Sequence, residues 1–556
     1  MKFFIVLFAI TCAIARSASI PTYATKGIVV SQNELASTVG AQVLRDGGNA
    51  IDASIATAFA LAVTHPSAGN IGGGGFLVFR DAHGKAEAYD FRETAPARAT
   101  ADMFVRNGKY DSALHHESHL SVGVPGTAAG LHLAWQEHGK LPWARLVEPA
   151  IKLAREGFPV SQGLARDLER VLPRMKKHPA SLAQFSKHGV PYQTGDVLKQ
   201  PELARTLERI AKQGPVGFYE GETAALIVKE MLAHGGLITR EDLKSYVAKK
   251  RSPVRGSYRG FEIISMPPPS SGGVALIEML NVLEGFDLRK NGATSSTNVH
   301  LMAEGMRRAF AERAQFLGDP DFSAIPVERL TSKQHADELR KTIRLDHASH
   351  SFVTNFAWRY ESDETTHLSV VDKDRNAVAL TYTLENAYGS AIVVPGAGFL
   401  LNNEMGDFNA SPGLTTTNDL IGSKPNLAAP GKRMLSSMTP TIIARDGNLF
   451  MVTGSPGGRT IINTVLETIV NVIDFQMNAQ EAVDAPRFHH QWFPDEIRYE
   501  RDGFSKDTLR NLRQRGHQLV PVNWQGVAEV IVFDTKGNRL EAGCDRRAPD
   551  GAAVAE

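Results

Sequence analysis

Thr365 and Thr366 lie between an acidic pair, Asp363-Glu364, and a run that alternates apolar and polar residues, His367-Leu368-Ser369-Val370. A threonine hydroxyl is a poor nucleophile near neutral pH unless a base adjoins it. A newly released α-amino group on the same residue is such a base, titrating at about 7.7–8.0. The string therefore reads as the junction of a self-cutting precursor: cleavage between Glu364 and Thr365 would leave Thr365 as an N-terminal nucleophile for acyl transfer. A plain strand start fits the same residues, because β-branched side chains favour strands. The rest of the chain has to choose between the two.

Four further clusters carry usable chemistry. Gly454-Ser455-Pro456-Gly457-Gly458 precedes residues 460–475, which are apolar on nearly every face and predict a buried helix. Glycines at a strand-to-helix junction leave N–H groups uncovered at the positive end of the helix dipole, where a developing oxyanion can be held. Removing one such donor typically costs on the order of 10²–10³ in turnover. Arg92 between strand-like residues, the hydroxyl pair Ser436-Ser437, and the carboxylates Glu404 and Asp407 make up the other three. Arginine grips a carboxylate bidentately, and Asp or Glu holds an ammonium, so together they would receive the zwitterionic end of an amino acid. Taken singly, each cluster is ordinary salt-bridge material.

Other chemistries fit poorly. Gly69 to Gly75 leads from glycines into a strand, the reverse of a phosphate-cradling loop, and no Lys-Ser/Thr pair follows it. His115, His116 and His119 beside Glu117 match no strong zinc spacing and read as surface residues, so no metal or organic cofactor is expected. The two cysteines are Cys12, inside an apolar start, and Cys544, which excludes an internal disulfide once that start is removed. With 61 Lys plus Arg against 60 Asp plus Glu and no long single-sign run, nothing points to a nucleic-acid groove or a membrane-binding patch.

These residues need elements to hold them. Lys2, an apolar stretch and Ala13-Ile14-Ala15 read as an export signal cut near Ala15, too short to span a membrane. Residues 31–44 predict a helix with Leu35, Val39 and Val43 on its buried face, and residues 49–63 a helix buried all round. Residues 141–288 look mostly helical, and residues 346–364 polar and exposed. Leu368 to Leu384 predicts a hairpin turning at 372–376, which places Thr365 and Thr383 near one end with their side chains able to meet. A second strand pair is expected at 527–533 and around Leu540.

Thr365 to Asp372, Asn402-Asn403-Glu404-Met405, Leu435 to Thr441 and Gly454 to Gly458 stand in an order and spacing that resembles the gamma-glutamyltranspeptidase family. Asp90-Phe91-Arg92-Glu93, Gly139 to Ala144 and Ala485 to Trp492 join them, and the likeness runs from about Ala24 to Gly551. The resemblance implies an α+β N-terminal-nucleophile hydrolase, an αββα four-layer sandwich autoprocessed into two subunits. The pieces would be a signal peptide 1–15, a large subunit 16–364 and a small catalytic subunit 365–556, the last two remaining together as a heterodimer. Carried over, Thr365 is the nucleophile and Thr383 its hydrogen-bond partner, with Gly457 and Gly458 as the oxyanion loop. Arg92, Ser436 and Ser437 would clamp the substrate α-carboxylate, and Glu385, Glu404 and Asp407 would meet its α-ammonium.

The implied reaction is γ-glutamyl transfer from glutathione or a related amide to water, an amino acid or a dipeptide, in the periplasm or outside the cell. Two departures are visible: Glu385 stands where many members carry Asn, and Asn418, in a lid-length loop at 412–430, stands where some bacterial members carry Tyr. Rival readings are a glutaryl-type β-lactam acylase of the same fold and a catalytically dead binder of γ-glutamyl peptides.

Overall fold

The strands Thr366–Val371 and Ala377–Thr383 pair antiparallel, Thr366 opposite Tyr382 and Val371 opposite Ala377, as the alternation predicts. The cross-strand pairs Leu368–Leu380 and Val370–Val378 share one face and join a core with the helix Ala50–Thr64. On the other face Val371, Ala377 and Ala379 belong to a second core, shared with a second sheet. A strand buried on both faces needs a layer on each side, and the hairpin thereby sets the architecture.

The computed structural model describes residues 19–352, 365–409, 412 and 423–556. The expected signal, Glu364 on the cleavage junction and Asn418 of the expected lid lie outside the described residues. One seven-stranded sheet runs, in spatial order, Ala552–Ala555, Ile28–Ser31, Thr366–Val371, Ala377–Thr383, Gly74–Arg80, Ala86–Phe91 and Lys249–Arg251. The other runs Thr22–Ala24, Arg539–Cys544, Glu529–Asp534, Asn448–Gly454, Thr441–Arg445, Phe261–Ser265 and Val254–Tyr258. The two sheets pack through Thr366–Val371 and Ala377–Thr383 against Asn448–Gly454. The helices Glu34–Arg45 and Ala50–Thr64 cover the first sheet, Gly272–Leu283 and Thr460–Ile473 the second, which gives the expected αββα sandwich. Both sheets combine strands from before and after residue 365. Among the described residues no helix is long and apolar enough to cross a membrane.

Two expectations are corrected. The helix Glu34–Arg45 buries Ala36, Gly40, Ala41, Val43 and Leu44, while Leu35 is exposed and Val39 only half-buried. Close packing decides this: a Cβ on Gly40 would stand 2.1 Å from Thr57 Oγ1 on the neighbouring helix, so the face with the smallest side chains turns inward. Residues 141–288 are helical as far as Lys244, but Lys249–Arg251, Val254–Tyr258 and Phe261–Ser265 are strands. Two of these, Lys249–Arg251 and Val254–Tyr258, are edge strands bearing Lys and Arg, a composition that protects an edge and masks the strand signal.

Candidate active site

Thr365 immediately precedes its strand, and the register that pairs Thr366 with Tyr382 sets it opposite Thr383. Both are buried, and Thr365 Oγ1 lies 3.4 Å from Thr383 Oγ1. The Thr383 hydroxyl also accepts the Glu385 N–H at 2.9 Å, and its carbonyl accepts Asn70 Nδ2 at 2.8 Å, so the partner of Thr365 is itself fixed. Behind them His367 is buried between the sheets, bonded to Thr381 Oγ1 at 2.7 Å and Ser369 Oγ at 3.0 Å. Burial holds its imidazole down at about 3, so it is neutral near neutral pH.

The strand Asn448–Gly454 ends at the glycine loop, and the helix Thr460–Ile473 begins just beyond it. Gly457 and Gly458 adopt φ of 127° and 53°, a region that side chains disfavour. Their carbonyls accept the Thr460 and Ile461 N–H groups at 3.0 and 3.2 Å. Among the described residues no acceptor is paired with the N–H of Gly457 or of Gly458. Thr365 and Gly457 line one pocket, which brings the candidate nucleophile and one candidate oxyanion donor to the same place.

The residues expected to receive an amino-acid end cluster around Arg92, which follows the strand Ala86–Phe91. Its side chain has no exposed surface; the guanidinium meets Glu404 at 2.5 Å, Glu93 at 3.5 Å, and Asp407. It also donates to the carbonyls of Met434 at 3.3 Å and Leu435 at 3.4 Å, directly ahead of Ser436 and Ser437. Asn402 orients Glu404: its Oδ1 accepts the Glu404 N–H at 3.0 Å while its Nδ2 donates to the carbonyls of Gly72 and Gly123. Glu385 sits at φ 77°, a conformation rare for residues with a side chain, and its carboxylate meets His116 Nδ1 at 3.0 Å.

Carboxylates outnumber cations here. Burial pushes Glu404 well up, with Glu93, Asp407 and Glu385 adding to it against the pull of Arg92. Burial likewise pushes Glu93 up to about 8, opposed by Arg92. A site that must otherwise take up protons to balance its charge is suited to a bound ammonium.

Three features escaped the sequence. Arg313, buried on the helix Ser296–Phe316, donates to Ser437 Oγ at 2.8 Å and to Ser271 Oγ at 2.7 Å, while Ser271 bonds the Ser436 carbonyl at 2.7 Å. An arginine inside a helix carries no sign of such a role. The histidines read as surface residues are corrected: His115 and His119 are buried, His115 bonds the Met405 carbonyl at 2.8 Å, and His116 supports Glu385. His119 meets Glu230 at 2.9 Å, and both lie close to His234, a grouping of residues remote in sequence.

The model of one family, gamma-glutamyltranspeptidase, matches residues 36–555. The "Glutathione hydrolase proenzyme" of Escherichia coli (strain K12) is 47% identical over 537 residues, 95% of this chain and 92% of that protein. Among solved structures, cephalosporin acylase from Bacillus halodurans superposes with a TM-score of 0.86 at 28% identity, covering 99% of each chain. Helicobacter pylori gamma-glutamyltranspeptidase has a TM-score of 0.56 at 47% identity and covers 57% of this chain and 91% of its own.

Proposed function

The chain belongs to the gamma-glutamyltranspeptidase family, and from that premise we propose that it cuts itself before Thr365 and then transfers γ-glutamyl groups, with Thr365 as the nucleophile. In the first reaction the Thr365 hydroxyl attacks the Glu364 carbonyl, the acyl group shifts from N to O, and water hydrolyses the ester to release the new amine. In the working cycle that amine takes the hydroxyl proton as Thr365 attacks the γ-carbonyl of glutathione or a similar amide. Thr383 orients the nucleophile, and the N–H groups of Gly457 and Gly458 stabilise the tetrahedral oxyanion. The amine Cys-Gly departs, leaving a γ-glutamyl-Thr365 ester for water, an amino acid or a dipeptide to resolve. Arg92, Ser436 and Ser437 take the α-carboxylate; Glu385, Glu404 and Asp407 take the α-ammonium.

The observation that carries this reading is the excess of buried carboxylate around Arg92, at the same end of the sheet as Thr365. It also speaks against the acylase reading, although an acylase is a structural neighbour, because a glutaryl amide lacks the ammonium those carboxylates would pair with. A dead binding protein would have no use for the Thr365–Thr383 contact beside a glycine loop. Processing into a large subunit, 16–364, and a small subunit, 365–556, is in keeping with the proenzyme name of the E. coli relative. Lys2, the apolar start and Ala13-Ile14-Ala15 support export to the periplasm or the medium.

The test is γ-glutamyl-p-nitroanilide turnover with and without glycylglycine, alongside mass spectrometry. Wild-type protein is expected as two fragments, the second beginning at Thr365, and Thr365→Ala as one inactive chain. Active protein uncut at that junction would refute the proposal.

A further inference from the structure

We propose that a second pocket at Thr365, on the side away from Arg92, binds the free carboxylate of the leaving or accepting peptide through Arg166 and Arg170. The inference rests on the transferase reading above and names the half of the substrate which that reading leaves unplaced.

The order of strands fixes the two sides. Along the rim of the first sheet, register places Asp550, Gln32, Thr365, Thr383, Gly73 and Arg92 in succession, each at the same end of a neighbouring strand or just beyond it. At about 4.8 Å per strand, Arg92 begins three strands from Thr365, roughly 14 Å, and Asp550 two strands away in the opposite direction. The facing rim of the second sheet repeats this order: Cys544, Glu529, Gly454 and Thr441 are neighbours, so the glycine loop lies between the Asp545 side and the Ser436-Ser437 side. The nucleophile and its oxyanion loop thus stand in the middle of a row, with the amino-acid receptor at one end only.

A γ-glutamyl amide attacked at its γ-carbonyl must straddle Thr365. Its glutamyl part reaches toward Arg92, and whatever is attached to the amide nitrogen extends the other way. There the structure has a pocket of about 270 Å³ bounded by Thr365, Gly457, Gln32, Asp550, Arg166 and Arg170; none of Arg92, Glu404, Asp407, Ser436 or Ser437 lines it.

Three arginines, Arg166, Arg170 and Arg547, line it against two carboxylates, Asp167 and Asp550, the latter accepting the Ser161 hydroxyl at 2.6 Å. Arg166 and Arg170 stand four residues apart on the helix Gln162–Met175, side by side on one face. Arg170 pairs with Asp167 at 3.0 Å, and Arg547, also on the wall, is engaged by Glu500 at 2.6 Å and Asp545 at 3.0 Å. Among the described residues Arg166 has no ion-pair partner, which leaves it able to meet a carboxylate. His65, also on the wall, is held by burial at about 4 and adds no charge.

In the transfer step the acceptor amine, its carboxylate on Arg166, attacks the ester carbonyl of γ-glutamyl-Thr365. A C–N bond forms, the ester C–O bond breaks, and the amine proton passes by way of the Thr365 amine to Thr365 Oγ1. Reversed, the same geometry holds the carboxylate of glutathione while Cys-Gly departs.

The experiment compares acceptors that differ only in that carboxylate, glycylglycine and glycylglycinamide, with γ-glutamyl-p-nitroanilide as donor. In wild-type protein glycylglycine should have the lower KM. In Arg166→Ala/Arg170→Ala the ratio of the glycylglycine KM to the glycylglycinamide KM should rise about tenfold or more, the loss expected for a charged hydrogen bond. Arg166→Glu/Arg170→Glu should raise it further. A ratio that stays at the wild-type value in both variants overturns the subsite while leaving the function intact. Wild-type protein that turns over no γ-glutamyl anilide overturns the function and the subsite with it.

Discussion

Thr365 Oγ1 lies 3.4 Å from Thr383 Oγ1, and the contact is set by a hairpin whose two strands keep one register from Val371–Ala377 to Thr366–Tyr382. A slip of one residue would turn either hydroxyl to the opposite face. Thr383→Val removes the hydroxyl at nearly constant shape, so kcat and the rate of self-cleavage should both fall by about three- to tenfold, the worth of one hydrogen bond. KM should change little. Thr383→Ser, which still accepts the Glu385 N–H, should recover most of the rate. Steady-state kinetics on the two variants, with equal rates throughout, would remove Thr383 from the site.

Arg92 is held by Glu404, Asp407 and Glu93 with no exposed side-chain surface. Arg92→Ala should therefore raise KM for γ-glutamyl donors and also destabilise the fold, by about 3–5 kcal/mol, because the carboxylates lose their cation. Adding Glu404→Gln to Arg92→Ala should restore part of the stability without restoring KM. Chemical denaturation of the three proteins separates the two effects. A fully stable Arg92→Ala with wild-type KM would contradict both.

Glu93 has a folded-state pKa of about 8, raised from 4.5 by burial. A carboxyl raised in this way favours the folded protein while protonated, so its contribution is complete below about pH 4.5 and is lost as the pH climbs to about 8. Glu93→Gln should flatten this part of the stability profile and gain on the wild type between pH 5 and 9. Denaturation midpoints at those two pH values give the comparison, and parallel profiles would show that Glu93 titrates normally.

Cleavage before Thr365 should not separate the pieces. The strand Thr366–Val371 is flanked by Ile28–Ser31, and Thr441–Arg445 pairs with Phe261–Ser265, so each sheet is stitched across the junction. Processed protein should elute from gel filtration at the size of the uncut chain and resolve into two fragments only in denaturant. Separation under native conditions would mean that the interleaved sheets do not hold.

The local pattern of the sequence was enough for the hairpin, the buried helix Ala50–Thr64 and the glycine loop, and it marked Arg92, Glu404 and Ser437 as candidates, because periodicity, turn residues and chemical type act over a few positions. Resemblance supplied their roles. Tertiary structure alone decided that Arg92 is internally balanced by Glu404 and Asp407, that Arg313 stands behind Ser437, that His116 supports Glu385, and that small residues rather than Leu35 face the core. Each of those depends on groups far apart in the chain being brought within a few ångströms, and on burial, which alters charge and packing and has no counterpart in the order of residues.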